Sequence, residues 1–196
     1  MTGRAPRIVV IGAGLAGLAA ADALRRAGLS PVVLEKSRGI GGRLATRRTR
    51  EGLAFDHGAP VAPARPGPFA AFLRAAEAAG DAAPWGAGAV GVPGMSALPR
   101  GLAVGLDIRF SAEATEVARD ADALAARLAD GGALGADAVL VTAPAPQTAR
   151  LCAGFPALAA AAAAARMTPC WTLMAAHDSR LDAPDALAGD GPIRVA

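Results

Sequence analysis

Three glycines near the N-terminus and one acid at position 35 are the residues whose types and spacing define a chemistry. Gly12, Gly14 and Gly17 spell Gly-x-Gly-x-x-Gly, with Ala13, Leu15 and Ala16 between them. In a strand-to-helix turn the three glycines act differently. The first makes the tight turn, the second lets the backbone approach a pyrophosphate, and the third lets helix and strand pack closely. The phosphates then meet the free N–H groups and partial positive charge at the helix N-terminus. Glu35 follows Gly14 by 21 positions, near the roughly 20 expected of the acid that receives an adenosine ribose. An arginine there would instead have suggested a 2′-phosphate. The plainer alternative is that the glycines only pack and Glu35 is a surface charge.

The elements needed to position these residues are legible around them. Arg7 to Ile11 (RIVVI) is a continuous apolar run suited to a strand buried on both faces of a parallel sheet. Leu15 to Ala27 has the apolar spacing of a helix, with Arg25 and Arg26 in its last turn and Gly28 just past its end. Pro31 to Glu35 (PVVLE) is a second strand, which completes a βαβ unit. A rival for the same residues is a signal segment, because Arg4 and Arg7 precede the apolar run Ile8–Ala21. That run has 14 residues, against the roughly 20 of a membrane span.

Beyond residue 60 the pattern predicts a loop over Pro60–Pro68, a helix over Phe69–Ala79 and a glycine-rich connection over Gly86–Gly94. It then predicts helical structure over Met95–Ala103 and strands over Asp107–Val117, Ala125–Leu128 and Ala138–Ala143, the last one buried. A helix is expected over Pro156–Arg166, because alanine is the best helix former, and a strand over Met167–Met174. The last 20 residues carry no clear element. The fold class expected is α/β: a Rossmann-like parallel-sheet FAD/NAD(P)-binding domain formed by residues 1–60 and 94–148, with a partial second (substrate) domain from 61–93 and 149–196.

Composition narrows the partners. The chain has 196 residues, 53% of them hydrophobic but only 4% aromatic and none of them tyrosine, so its core must be built from Ala, Leu and Val. A formal charge of +3 is modest, and the local cluster Arg43, Arg47, Arg48, Arg50 is short for a nucleic-acid stripe and lies far from Trp85 and Trp171. No nucleic acid and no membrane are expected as partners; a small-molecule substrate, with NAD(P)H a candidate, is. Cys152 and Cys170 form no disulfide framework and no metal pattern, and His57 and His177 have no ligand-spaced partner, so no metal is implied and a reducing cytoplasm fits. Oligomeric state is not readable.

The run Lys36–Arg48 (KSRGIGGRLATRR), followed by Phe55–Ala59 (FDHGA), turns the expectation from nicotinamide to flavin. Glu-Lys-x-x-x-x-x-Gly-Gly-Arg resembles the second FAD-contacting segment of amine oxidase and glutathione reductase-like flavoproteins. The fuller string with Asp-x-Gly-Ala is similar to bacterial renalase-like proteins, as are Val90–Arg100, Val139–Gln147 and Met167–Trp171, in the same order. The resemblance implies that FAD is held by Gly12–Gly17, Glu35 and Lys36, that Gly42 and Arg43 reach its flavin side, that Gly58 and Ala59 line it, and that Val117 flanks the adenine through its backbone. Arg43 also has a physical case, since a guanidinium is a charge-assisted donor to a pyrophosphate or an anionic reduced flavin.

The activity so implied is that of an FAD-dependent oxidoreductase oxidising reduced nicotinamide dinucleotides or their isomers, or amines, with transfer to oxygen. The alternative is a non-catalytic or truncated dinucleotide binder. Hydride transfer needs no obligatory protein acid or base, so no catalytic residue is named; His57 occupies the variable position of Asp-x-Gly-Ala, where an orienting or neutral role is expected. Two departures matter. Pro60 and Val61 stand where the family usually has Gln and Tyr, and the chain reaches Ala196 without the C-terminal Gly-Asp segment that closes over the cofactor in such flavoproteins. Weak FAD retention and slow or absent turnover are the expectation drawn from the second.

Overall fold

A computed structural model describes residues 4–120 and 123–179 of the chain. The predicted βαβ unit is its foundation: β1 (Ile8–Ile11), α1 (Leu15–Arg26) and β2 (Val32–Leu34). A hairpin follows, β3 (Thr46–Arg48) and β4 (Ala54–Asp56), and then β5 (Ala62–Pro63), α2 (Pro68–Ala78), β6 (Ala82–Trp85) and β7 (Gly88–Gly91). The rest comprises α3 (Arg100–Ala103), β8 (Asp107–Arg109), β9 (Ala114–Asp120), β10 (Ala123–Leu128), β11 (Ala133–Ala136), β12 (Ala138–Val141), α4 (Ala145–Leu151) and α5 (Pro156–Ala163).

A four-stranded sheet runs β12–β1–β2–β8 with every pairing parallel. Both of its faces are covered, which is why β1 is apolar at every position. Val10 packs with Leu18 and Ala21 of α1 and with Val33, while Val9 and Ile11 pack on the opposite face with Val117, Ala126 and Ala136 of the antiparallel sheet β11–β10–β9. Period-two alternation along one strand thus joins helix, parallel sheet and antiparallel sheet into three layers. Burying Leu18 fully contributes about 1.5–3 kcal/mol. The helix ends as the sequence predicts, with Gly28 N–H on Arg25 O and Leu29 N–H on Leu24 O, the paired bonds of a Schellman cap. Since Ile8–Ile11 is a paired strand, the apolar stretch is not one continuous helix. Among the described residues no helix is long and apolar enough to cross a membrane.

A separate apolar cluster surrounds α2 and the antiparallel sheet β5–β7–β6, with Leu73, Met95 and Leu98 at its centre. Here the middle of the glycine-rich connection expected over Gly86–Gly94 is instead strand β7. Its glycines serve close approach: a Cβ on Gly88 would stand 2.4 Å from Ala62 O. The helix expected over Met95–Ala103 is split at Pro99 into a one-turn 3₁₀ helix and α3. The strand expected over Asp107–Val117 is two, β8 and β9, which belong to different sheets. Ala138–Val141 is half-buried rather than buried, because β12 is the outermost strand of its sheet. Met167–Met174, predicted as a strand, has no regular structure and pairs with no strand among the described residues; Trp171 is 96% exposed. Residues 180–196, part of the expected substrate domain and of the featureless last 20, lie outside the described residues.

The edge of the parallel sheet is tied to the start of the chain by Asp137. Its carboxylate accepts Arg7 N–H at 2.6 Å and lies 3.0 Å from Arg4 Nη2 through both oxygens. The Arg7 backbone bond is the chief reason that the Asp137 carboxyl sits below the ordinary range, with the Arg4 and Arg7 charges adding to it and desolvation opposing. A depressed acid contributes stability above its unfolded value and loses it as pH falls through the folded value. Denaturant midpoints of the wild-type chain are therefore expected to fall on acidification through and below the ordinary carboxylate range. In Asp137→Asn that portion of the fall should vanish; an identical acid limb would show that the contact contributes nothing.

Candidate functional site

The glycine turn joins the carboxyl end of β1 to α1 and lies where the strands of the parallel sheet point. Gly12 has φ +107°, a conformation that side chains resist. Gly17 sits beneath it, so close that a Cβ there would stand 1.9 Å from Gly12 O. Gly14 caps α1 with no side-chain partner, and no acid occupies the helix's first turn. The first N–H groups of α1 consequently face outward with no intrahelical acceptor.

Glu35 at the end of β2 is 8% exposed and closes the other side of the crevice. Its Oε2 accepts Ala13 N–H at 2.8 Å, and its Oε1 accepts Ser37 N–H at 2.8 Å. The Ser37 hydroxyl lies 2.7 Å from the same Oε1 and 2.8 Å from Gly39 O, with one proton to share. A carboxylate has about four lone-pair sites, so capacity remains for a ribose hydroxyl. Glu35 thus fixes the glycine turn, a role that its spacing in the sequence does not announce, and keeps acceptor capacity to spare.

The second glycine segment folds directly onto the first. Gly41 N–H donates to Ala13 O at 2.9 Å, Gly14 and Gly41 form a parallel bridge, and a Cβ on Gly42 would come within 3.2 Å of Gly14 Cα. Arg43 follows in a 3₁₀ turn, Gly42–Leu44, exposed and paired with no carboxylate among the described residues. Its carbonyl accepts Ala59 N–H at 3.0 Å, and a Cβ on Gly58 would stand 2.0 Å from that oxygen.

These segments enclose a cavity of about 1070 Å³, at the upper end of the usual range for ligand clefts. Of the predicted site residues, Gly12, Gly14, Leu15, Ala16, Glu35, Lys36, Gly42 and Arg43 line it. Ala13 and Gly17 are buried behind its wall. Gly58 and Ala59 support Arg43 from behind and do not line the cavity, and Val117 lies in the core, with the nearby wall made by Ala112–Thr115. His57 is half-buried, and its carbonyl accepts the Thr172 hydroxyl at 3.0 Å.

Three groups escaped the sequence reading. Thr142 at the end of β12 donates its hydroxyl to Ile11 O at 2.9 Å, with Gly12 O at 3.3 Å, so it holds the turn from the far side. Gln147 and Arg150 line the cavity from α4, an element that propensity did not announce after Pro144 and Pro146. Pro144 caps the helix from outside and Pro146 falls in its first turn, where an N–H is dispensable.

Cys152 and Cys170 are both free thiols. Cys152 is buried, and desolvation pushes its thiol upward, whereas Cys170 is exposed. Since the thiolate is the reactive form, a disulfide reagent at neutral pH should label Cys170 rapidly and Cys152 only on unfolding. Two equally fast thiols in the native chain would contradict this arrangement.

Parallel sheet, glycine turn and acid define a dinucleotide-binding unit, and residues 10–76 match the family model of an NAD(P)-binding Rossmann-like domain. Residues 70–183, more than half of the chain, match that of the flavin-containing amine oxidoreductases, and the chain belongs to this family. A curated 4,4′-diapolycopene oxygenase from a Methylomonas species is 46% identical over 55 residues, which are 28% of this chain and 11% of that protein. Among solved structures, an Exiguobacterium sp. 255-15 protein assigned as a protoporphyrinogen oxidase aligns at TM-score 0.56 and 16% identity, over 76% of this chain and 61% of its own. A CLA-producing fatty acid isomerase from P. acnes aligns at TM-score 0.52 and 14% identity, over 78% and 62%. The chain therefore spans about three fifths of these structures and a small part of the oxygenase, and at such identities the structures speak for the fold alone. The cofactor of the family is FAD, and the residues here fit it: unpartnered helix N–H groups for the pyrophosphate, Glu35 for the ribose and Arg43 for an anionic neighbour.

Proposed function

We propose that the protein is an FAD-dependent oxidoreductase of the renalase-like kind, which oxidises reduced nicotinamide dinucleotides or their isomers with oxygen as final acceptor. The observation that carries this reading is the clamp of Ala13 N–H on Glu35, with Gly41–Arg43 folded over the same turn. It pre-forms a crevice for the adenosine, pyrophosphate and ribityl portions of a flavin dinucleotide in one line. Bound there, FAD would supply the two-electron acceptor. The protein's share is positional and electrostatic: the start of α1 and Arg43 hold negative charge, Glu35 receives ribose hydroxyls, and Gly58 and Ala59 fix Arg43 through its carbonyl. In this reading residues 1–60 and 94–148 form the cofactor domain, with 61–93 and 149–196 on the substrate side.

The test is the visible spectrum of the purified full chain, followed by anaerobic mixing with NADH, its α-anomer and benzylamine. Flavin absorbance bleached by a reduced nicotinamide and restored by oxygen is expected. Bleaching by the amine alone would move the assignment to amine oxidation, and bound flavin that no donor bleaches would make the chain a non-catalytic dinucleotide binder.

A further inference from the structure

The cavity has a wall that the Gly-x-Gly-x-x-Gly and Gly-Gly-Arg motifs do not explain. Ala112 N–H donates to Glu35 O at 3.0 Å and Ser111 N–H to Ser37 O at 3.0 Å, so the stretch Ala112–Thr115 is fixed beside the ribose acid. Facing the same cavity are Gln147, Arg150 and Leu151 of α4, which share one helix face by their spacing of three and four. The helix is fixed at both ends. Thr142 ties its approach to the glycine turn, the Thr148 hydroxyl holds Ala143 O at 2.8 Å, and Leu151 enters the core beside Val117. Among the described residues, neither the Gln147 amide nor the Arg150 guanidinium has a hydrogen-bond or ion-pair partner, although Gln147 is half-buried. Two polar side chains without protein partners thus face the space next to the ribose acid.

We propose that Gln147 and Arg150 recognise the purine end of the dinucleotide, with Gln147 specifying adenine. A side-chain amide carries one donor and one acceptor side by side, the complement of adenine's N7 acceptor and N6 amino donor; guanine presents two acceptors on that edge. Arg150 supplies a planar cation able to lie against either purine or to meet its phosphate, without distinguishing them. The inference rests on the dinucleotide reading of the cavity, though not on the presence of a flavin in it.

The experiment is calorimetric titration of the full chain with ADP, GDP and FAD, for wild type, Gln147→Ala, Gln147→Glu and Arg150→Ala, with circular dichroism as the check on folding. Wild type should prefer ADP to GDP. Gln147→Ala should reduce that preference at least fivefold, whereas Gln147→Glu, which keeps an acceptor for the N6 amino group but offers no donor to the N7 of either base, should weaken ADP while leaving it ahead of GDP, whose edge presents only acceptors. Arg150→Ala should weaken both nucleotides by similar factors and leave the preference unchanged. An ADP-to-GDP ratio untouched by Gln147→Ala would overturn the proposal, as would a Gln147→Glu chain that prefers GDP or a wild type that binds the two nucleotides equally. Binding of ADP with adenine preference but no binding of FAD would sink the flavin reading and leave this one standing, whereas failure to bind any of the three would remove both.

Discussion

Gly17→Ala is expected to lower the denaturation free energy of the chain by about 2 kcal/mol or more and to weaken FAD binding more than tenfold. Helix propensity alone points the other way, since alanine is preferred over glycine inside a helix by about 1 kcal/mol. The methyl group, however, would stand 1.9 Å from Gly12 O and 2.8 Å from Thr142 Oγ1. The first of these is backbone and cannot rotate aside. Overpacking typically costs about 1–3 kcal/mol, and here relief requires α1 to move off β1, carrying its unpartnered N–H groups away from the phosphates. Gly39→Ala is the control, because nothing lies within 4 Å of a Cβ at that position. Urea denaturation and FAD titration of both variants decide the matter: a Gly17→Ala chain as stable as Gly39→Ala would mean that the strand and helix are not in the contact described.

Glu35→Ala should lower both stability and cofactor affinity, and the pairing of the two effects is the point. From sequence alone the substitution is expected to weaken FAD by roughly 1.5–3 kcal/mol, the range for hydrogen bonds to a charged group, with the fold intact. The observed bond from Ala13 N–H revises the second half of that expectation. Without the carboxylate a buried N–H is left without an acceptor, which costs about 1–3 kcal/mol. For a chain of this size, each kcal/mol corresponds to roughly 2–4 °C in Tm. Glu35→Gln keeps an acceptor for Ala13, so it should recover most of the Tm while binding FAD less tightly than wild type. If Glu35→Ala melts with the wild type, the acid is not the clasp of the turn; if its FAD affinity is unchanged, the ribose is held elsewhere.

The part of this architecture that could be read from sequence is the part whose side chains face their determinants locally. The run RIVVI, the spacing of Leu15, Leu18, Ala21 and Leu24, and Gly28 as cap each encode their own backbone state, so β1, α1 and β2 lie within a residue or two of their predicted places. The glycine turn and Glu35 were legible for the same reason, as a fixed spacing along one βαβ unit. What was hidden depends on residues distant in sequence. Gly88 reads as a loop former until Ala62 is known to lie against it. Met167–Met174 has strand-like residues, but a strand needs a neighbour. The wall from Ala112–Thr115 and α4 has no motif, because its members meet only after β8 and β12 take opposite edges of the sheet.

The pairing of β1 with β12 joins Val9 to Val139 and Ile11 to Val141, and this spacing imposes an order on biosynthesis. Elongation proceeds at about 5–20 residues per second, so the first strand emerges many seconds before its outer neighbour exists. During that interval β1, α1 and β2 can assemble locally, but Thr142 is not there to brace Gly12, nor α4 to wall the crevice. Nascent chains stalled before residue 142 should therefore lack a competent nucleotide crevice even with every glycine in place. Capture of the cofactor then waits until residues beyond 142 have been added, and until then the uncovered edge of β1 presents its unpaired backbone groups to whatever strand it meets.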